Sequence, residues 1–323
     1  MTNTNIPTRS LGKTGIQVTP VGLGMMGFSD GAGFFGFRFR PMPQADKNAI
    51  VKTGLDGGIN WFDTAEAYGG GISERSLATA LKAAGKSDSD VVVATKWLPL
   101  FRTAGNIPRT IQDRLRNLDG YGIGLYMVHM PTSFSSPEAE MDAMADLVAA
   151  GKIRSVGVSN FNPERMRRAH KELQKRGLPL AVNQVRYSLL HREIETNGIL
   201  ETAQELGVTI VSYAPLAAGV LTGKYHKSPE LLDRQPPIYR WMLRRDLEAT
   251  KPLVAALEEL AGKHNATPAQ VALNWLIYFK GESVVTIPGV TKVRQAEESA
   301  GAMQFRLSAD ELAQLDELSR KHR

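Results

Sequence analysis

The stretch Ile59-Asn60-Trp61-Phe62-Asp63, a helical pattern closing at Gly85, and then Val91-Val92-Val93-Ala94-Thr95-Lys96 decide the fold. Short runs of β-branched and aromatic residues bounded by polar ones read as strands, and apolar spacings of three and four read as helices. A strand, a helix and a second such strand form a βαβ unit whose strands lie parallel. Working outward, further strands are expected to begin near Val21, Ile123, Ile153, Ala181, Val208 and Val284, eight in all with Ile59 and Val91. Helical spacing fills the segments between, as in Met141, Met144 and Val148, in Met166 and Leu173, and in Leu200, Ala203 and Leu206. Several of these patterns stop on glycine, at Gly85, Gly151, Gly177 and Gly207. Through the first seven strands the repeat is about 30 residues, the length of one strand–helix unit. The expectation is an α/β fold, a (β/α)8 TIM barrel occupying residues 1–323 as one domain.

Three stretches interrupt the rhythm. Residues Thr8 to Thr19 contain Gly12-Lys13-Thr14-Gly15 and read as an N-terminal β-hairpin that plugs the bottom of the barrel. The loop Phe28 to Pro43 carries five phenylalanines, too apolar for a tether, and Phe34 to Phe39 are placed to close over the mouth. The gap from Leu216 to Glu282 holds a Pro-rich loop, Pro229 to Pro237, and two extra C-terminal helical patterns, Asp246 to Lys263 and Pro268 to Phe279.

The chain has 323 residues, 42% hydrophobic and 22% charged, which is enough to bury a core and excludes bulk disorder. It has no cysteine, so disulfides, thiolate metal sites and cysteine nucleophiles are excluded, no metal site is expected, and a reducing cytoplasm is the expected compartment. No apolar run approaches a membrane span, and the polar start lacks a secretory signal core. The net charge of +6 is dispersed, with only short clusters such as Arg165, Arg167, Arg168 and Lys171, so no nucleic-acid or membrane partner is expected. Neither a monomer nor a homo-oligomer is singled out.

In such a barrel the chemistry lies at the carboxyl ends of the strands. Those ends deliver Asp63, Lys96, His129, Ser159-Asn160, Asn183 with Gln184, and Tyr213. Asp63 and Lys96 stand on neighbouring strands, and Tyr68 in the next loop is placed to lean over them. A phenol titrates near about 10, and an adjacent ammonium is expected to lower that value and make Tyr68 a usable proton donor. His129 is placed to orient a substrate oxygen. Each residue alone is ordinary, but four such types on three consecutive strand ends form a constellation. No phosphate-binding P-loop, dinucleotide fingerprint, zinc-protease helix or nucleophile elbow is present.

Three segments carry a family resemblance. They are Gly58-Ile59-Asn60-Trp61-Phe62-Asp63-Thr64-Ala65-Glu66-Ala67-Tyr68-Gly69, then Gly151-Lys152-Ile153-Arg154-Ser155-Val156-Gly157-Val158-Ser159-Asn160-Phe161, and Ile287-Pro288-Gly289 followed by Gln295 and Glu298. With these the chain resembles the aldo-keto reductases nearly end to end. The resemblance implies an NAD(P)H-dependent carbonyl reductase in which Asp63, Tyr68, Lys96 and His129 match the catalytic tetrad. It also implies that Tyr213 stacks on the nicotinamide, that Ser159, Asn160 and Gln184 hold its carboxamide, and that Ala214, Pro215, Leu216 and Lys224 lie beside the pyrophosphate. Gly24 and Met25 match the turn after the first strand. At the adenosine end Gly289, Thr291, Gln295 and Glu298 match the pattern, Ser299 replaces the usual Asn, and Lys292 and Arg294 are placed to meet a 2′-phosphate. NADPH is therefore the expected cofactor, with NADH possible. Met25, Met26, Phe28, Trp97, Met130 and Trp241 are expected to line an apolar pocket for a hydrophobic or bulky carbonyl compound. Two rivals are a Schiff-base aldolase or isomerase using Lys96 and a cofactor-binding subunit similar to potassium-channel β subunits.

Overall fold

The computed structural model describes residues 6–37, 39–234 and 237–322. A two-stranded antiparallel hairpin opens the chain, β1 (Arg9–Ser10) and β2 (Gln17–Val18), with Arg9 opposite Val18. Eight parallel strands follow: β3 (Leu23–Gly24), β4 (Trp61–Asp63), β5 (Val92–Trp97), β6 (Leu125–Val128), β7 (Val156–Ser159), β8 (Leu180–Arg186), β9 (Thr209–Tyr213) and β10 (Val284–Thr286). They pair in sequence order from β3 to β10. Bridges from Val21 to Thr286 and from Gly24 to Gly289, with Gly22 N donating to Thr286 O at 2.8 Å, bring the first strand against the last. The (β/α)8 expectation holds, and the expected starts at Ile123 and Ile153 pair with each other as a single bridge just ahead of their strands.

Alternation along the strands builds two cores. Val92 and Ala94 of β5 face the barrel interior with Trp61, Leu125, Met127, Val182, Val211 and Val285. Val93 and Trp97 face outward and join the larger cluster between sheet and helices. Lys96 has the parity of Val92 and Ala94, so it points inward at the upper end of the barrel.

The hairpin stoppers the lower end. Leu11, Ile16 and Val18 belong to the interior cluster, and Gly12 N donates to Thr209 Oγ1 at 2.8 Å. Gly12 has φ +55° and lies so close to β8 that a Cβ there would stand 2.6 Å from Ala181 O. Glycine meets both demands.

Helix boundaries follow local chemistry. Ser136 and Asn162 cap Pro137–Ala149 and Pro163–Gln174, each with proline in the first turn, and Thr267 with Gln270 and Ser308 with Glu311 form capping boxes. The helix expected over Asp246 to Lys263 is longer, Pro237–Lys263, and contains Pro252 in its interior. Its first turns take up residues that read as loop because proline at a helix start and proline in a loop look alike in sequence. Among the described residues no helix is long and apolar enough to cross a membrane.

Candidate active site

At the upper rim Lys96 Nζ donates to Asp63 Oδ1 at 2.5 Å and to Thr64 O at 2.8 Å. Gln184 Nε2 donates to the other Asp63 oxygen at 2.9 Å. All three side chains are buried. A buried ion pair is costly unless its remaining lone pairs and protons are met, and these contacts engage both carboxylate oxygens and two of the three ammonium protons. Burial penalises the Lys96 ammonium, yet Asp63 and Tyr68 outweigh it and hold the amine above its ordinary range. The amine therefore stays charged at neutral pH.

The Tyr68 ring lies 5.1 Å from Lys96 Nζ and meets the His129 imidazole edge-on, with ring centroids 5.7 Å apart. The loop carrying Tyr68 is tied down where Thr64 Oγ1 donates to Ser73 Oγ at 2.9 Å and Ser73 Oγ donates to Met25 O at 2.7 Å. One expectation is corrected here. Lys96 pulls the phenol toward ionisation, but burial is the larger influence and leaves the Tyr68 pKa above its ordinary value. Tyr68 is therefore fully protonated at neutral pH. Burial, with Lys96 adding to it, pushes His129 well below its usual value, so its imidazole is neutral.

The neighbouring strand ends form a polar ledge. Ser159 Oγ donates to Gln184 O at 2.9 Å, Asn160 Nδ2 to Ser159 Oγ at 2.9 Å, and the Tyr213 hydroxyl to Asn160 Oδ1 at 3.1 Å. Asn160, Ala214, Ala217 and Ala218 all have left-handed backbone, φ 47–59°. Such strain costs about 1–3 kcal/mol per residue and gathers at functional sites.

Beyond β9 lies a cavity of about 380 Å³ lined by Leu216, Lys224, Gly289, Lys292, Gln295, Glu298 and Ser299, all singled out from sequence. Thr222, Lys227, Thr267, Pro268, Ala269 and Leu273 complete the wall with Arg294 and Pro288. The capping box at Thr267 was the visible signal for that part of the wall. Burial, then the like charges of Lys292 and Arg294, depress the Lys224 pKa. Thr291 N and Lys292 N both donate to Gln295 Oε1, at 2.7 and 3.1 Å, which shapes the start of the helix Val293–Gly301. Gly24 and Gly27 let the first loop press against this region, since a Cβ on Gly27 would stand 2.7 Å from the Thr291 methyl.

The expected apolar lining divides. Met26 is partly exposed and packs on Ala65, Ala67 and Tyr68 together with Leu98, and Met130 is partly exposed. Met25, Phe28 and Trp97 are completely buried and offer a ligand no surface. Trp97 has outward parity, and its indole donates to Asn106 Oδ1 at 3.0 Å. Trp241 is 61% exposed. The side chains of Phe34 and Phe35, and residue 38, lie outside the described residues. Sequence reasoning missed Phe101 and Phe134 on the rim loops, 78% and 73% exposed, with ring centroids 6.5 Å apart. No periodic signal marks such loop aromatics.

Residues 20–320 match the model of the aldo/keto reductase family. The chain is 36% identical to the chloroplastic pyridoxal reductase of Arabidopsis thaliana over 93% of its own length and 83% of the relative's. It is 33% identical to an aldo-keto reductase of Strobilurus tenacellus, covering 97% of this chain and 92% of that one. Among solved structures, a thermostable aldo-keto reductase in complex with the inhibitor epalrestat superimposes with a TM-score of 0.76 at 30% identity, covering 97% of this chain and 99% of that one. With a family match over almost its whole length, an eight-stranded parallel barrel and polar groups gathered at the strand ends, the chain belongs to the aldo/keto reductase family.

Proposed function

We propose that this protein reduces an aldehyde or ketone to the alcohol with a nicotinamide dinucleotide, Tyr68 giving the proton to the carbonyl oxygen. The observation that carries the reading is the placement of the protonated Tyr68 ring beside both the Lys96 ammonium and the neutral His129. The residues present suit the cofactor. The ledge of Asn160, Ser159 and Tyr213 offers donors and acceptors for a carboxamide beside an aromatic face, and the cavity holding Lys224, Lys292 and Arg294 offers cations for phosphate.

When bound, the reduced nicotinamide supplies a hydride. Tyr68 holds its proton until negative charge develops on the carbonyl oxygen, and the Lys96 ammonium stabilises the phenolate left behind. Asp63 keeps that ammonium charged and fixed, Gln184 holds Asp63, and His129 orients the oxygen. The cation cluster favours NADPH, with NADH as a weaker alternative. Met26, Leu98 and Met130 at the mouth favour a hydrophobic carbonyl compound. The pyridoxal-reducing relative places aromatic aldehydes first in a substrate panel. We place the enzyme in the cytoplasm, as one barrel domain. A Schiff-base role for Lys96 requires a free amine, and the pairing with Asp63 opposes it.

The test is a panel of aldehydes and ketones with both reduced cofactors, followed by loss of nicotinamide absorbance. Aromatic and bulky carbonyls are expected to turn over best with NADPH. Absence of oxidation with every carbonyl, together with borohydride trapping of substrate on Lys96, would overturn the proposal in favour of the aldolase.

A further inference from the structure

Between Asp63 and Tyr68 the chain leaves the sheet and turns back over Lys96. Backbone pairing carries it along β5 for two rungs, Thr64 N donating to Ala94 O at 2.8 Å and Glu66 N to Lys96 O at 3.2 Å. The next donor on the β5 side, Leu98 N, is met by a side chain, donating to Glu66 Oε2 at 3.0 Å. The Glu66 carboxylate thus supplies the last rung before the turn, in which Tyr68 N donates to Ala65 O at 3.1 Å.

That carboxylate is itself held. Arg102 donates to Glu66 Oε1 at 2.6 Å, and Arg114 Nη1 stands 3.6 Å from the same oxygen. Arg114 is buried, and its Nε lies 3.1 Å from Glu74 Oε2. Glu74, fully buried, accepts from Thr95 Oγ1 at 2.7 Å and from Asn117 Nδ2 at 2.9 Å. Thr95 directly precedes Lys96. The network therefore grips β5 from its outer face beside the residue that points inward, and through Glu66 it grips the loop that presents the phenol. Exposed ion pairs are loose and contribute little, whereas the Glu66 carboxylate is largely buried and bonded at both oxygens, by Leu98 N and by Arg102.

The geometry points to Glu66 as a positioning residue: its carboxylate, hydrogen-bonded by Arg102 and facing the Arg114 cation, fixes the turn that holds the Tyr68 ring beside Lys96 and His129. This rests on the proposed role of Tyr68 as proton donor.

The experiment is Glu66→Ala in the full-length protein, with kcat, KM for the carbonyl, cofactor dissociation constant, melting temperature and the deuterium isotope effect on kcat measured together. A misplaced reacting group costs a rate factor on the order of 100. The expected result is a fall in kcat of about that size with cofactor affinity unchanged and a larger isotope effect, because the chemical step becomes the slow one. Glu66→Gln, which keeps an acceptor for Leu98 N, is expected to recover part of the loss. An unchanged kcat, or a fall matched by an equal loss of cofactor affinity, overturns the inference. Should Glu66→Ala not fold, Arg102→Met removes one arm of the network from a partly exposed side chain. A severalfold fall in kcat there supports the inference, and wild-type kcat overturns it. Tyr68→Phe separates the two readings. Full activity in that variant defeats the proton-donor role, whereas an inactive Tyr68→Phe beside a fully active Glu66→Ala defeats only the positioning role.

Discussion

The two ends of the barrel use the same eight strands and solve opposite problems. At the amino-terminal end Leu11, Ile16 and Val18 meet apolar side chains, and the buried Arg9 guanidinium donates to Val284 O. At the carboxyl end Asp63, Lys96, Glu74 and Arg114 are buried with Tyr68 and His129. Burying a charge is costly unless it is paired and hydrogen-bonded, so at the upper end Asp63, Lys96 and Glu74 each carry hydrogen-bond partners. The contrast separates an end built for stability from an end built for chemistry.

Substitutions on both sides test that separation. The largest expected effect is at the top. Tyr68→Phe should lower kcat by about 10³-fold or more, within the range ascribed to general acid catalysis, while cofactor affinity and melting temperature stay near wild type. At the bottom, Gly12→Val should cost about 3 kcal/mol of stability in denaturant unfolding, from its φ of +55° and the contact with Ala181 O, and leave kcat/KM unchanged. A loss of activity in the folded Gly12→Val protein would break the separation.

A pH effect of slightly smaller size belongs to the upper side, where Glu140 accepts a bond from Ser133 Oγ in the loop after β6. Burial pushes the Glu140 carboxyl up to about 7. A folded-state pKa above the unfolded one means that the folded protein binds the extra proton. The contribution is fully present below the unfolded value and is lost as pH rises through about 7. Glu140→Gln should therefore gain about 2–3 kcal/mol relative to wild type at pH 8 and little at pH 4, as read from melting curves at each pH. The smallest effect is at the cofactor cavity. Lys292→Ala should raise the KM for NADPH about tenfold, roughly 1.4 kcal/mol, and hardly change that for NADH. Equal changes for both cofactors would assign Lys292 to a solvated face.

The strand ends were legible because a period of two forces every second residue to one face. Once Val92 and Ala94 faced inward, Lys96 had to follow, and the same rule places Trp97 outside. Its position at the rim suggests Trp97 as lining, but its parity turns it outward into the buried cluster. The Tyr68 pKa departs from its expected direction for a different reason. The neighbouring ammonium is visible in the sequence, but the depth of burial that outweighs it depends on how the first loop and the Leu98 region close around the ring. Phe101 and Phe134 sit in loops without a repeat, so only the fold brings them together. The Glu66 network joins residues from two loops and two helices, and its oppositely charged members are far apart in sequence.

Gln184 has a dual attachment. Its amide donates to Asp63, while its main-chain oxygen accepts from Ser159 Oγ and from Asn160 N at 2.9 Å. One residue thus belongs both to the ion pair and to the ledge. Thermodynamic linkage runs equally in both directions. If a ligand on the ledge alters the proton affinity of the Asp63–Lys96 couple through Gln184, titrating that couple alters the grip on the ligand by the same factor.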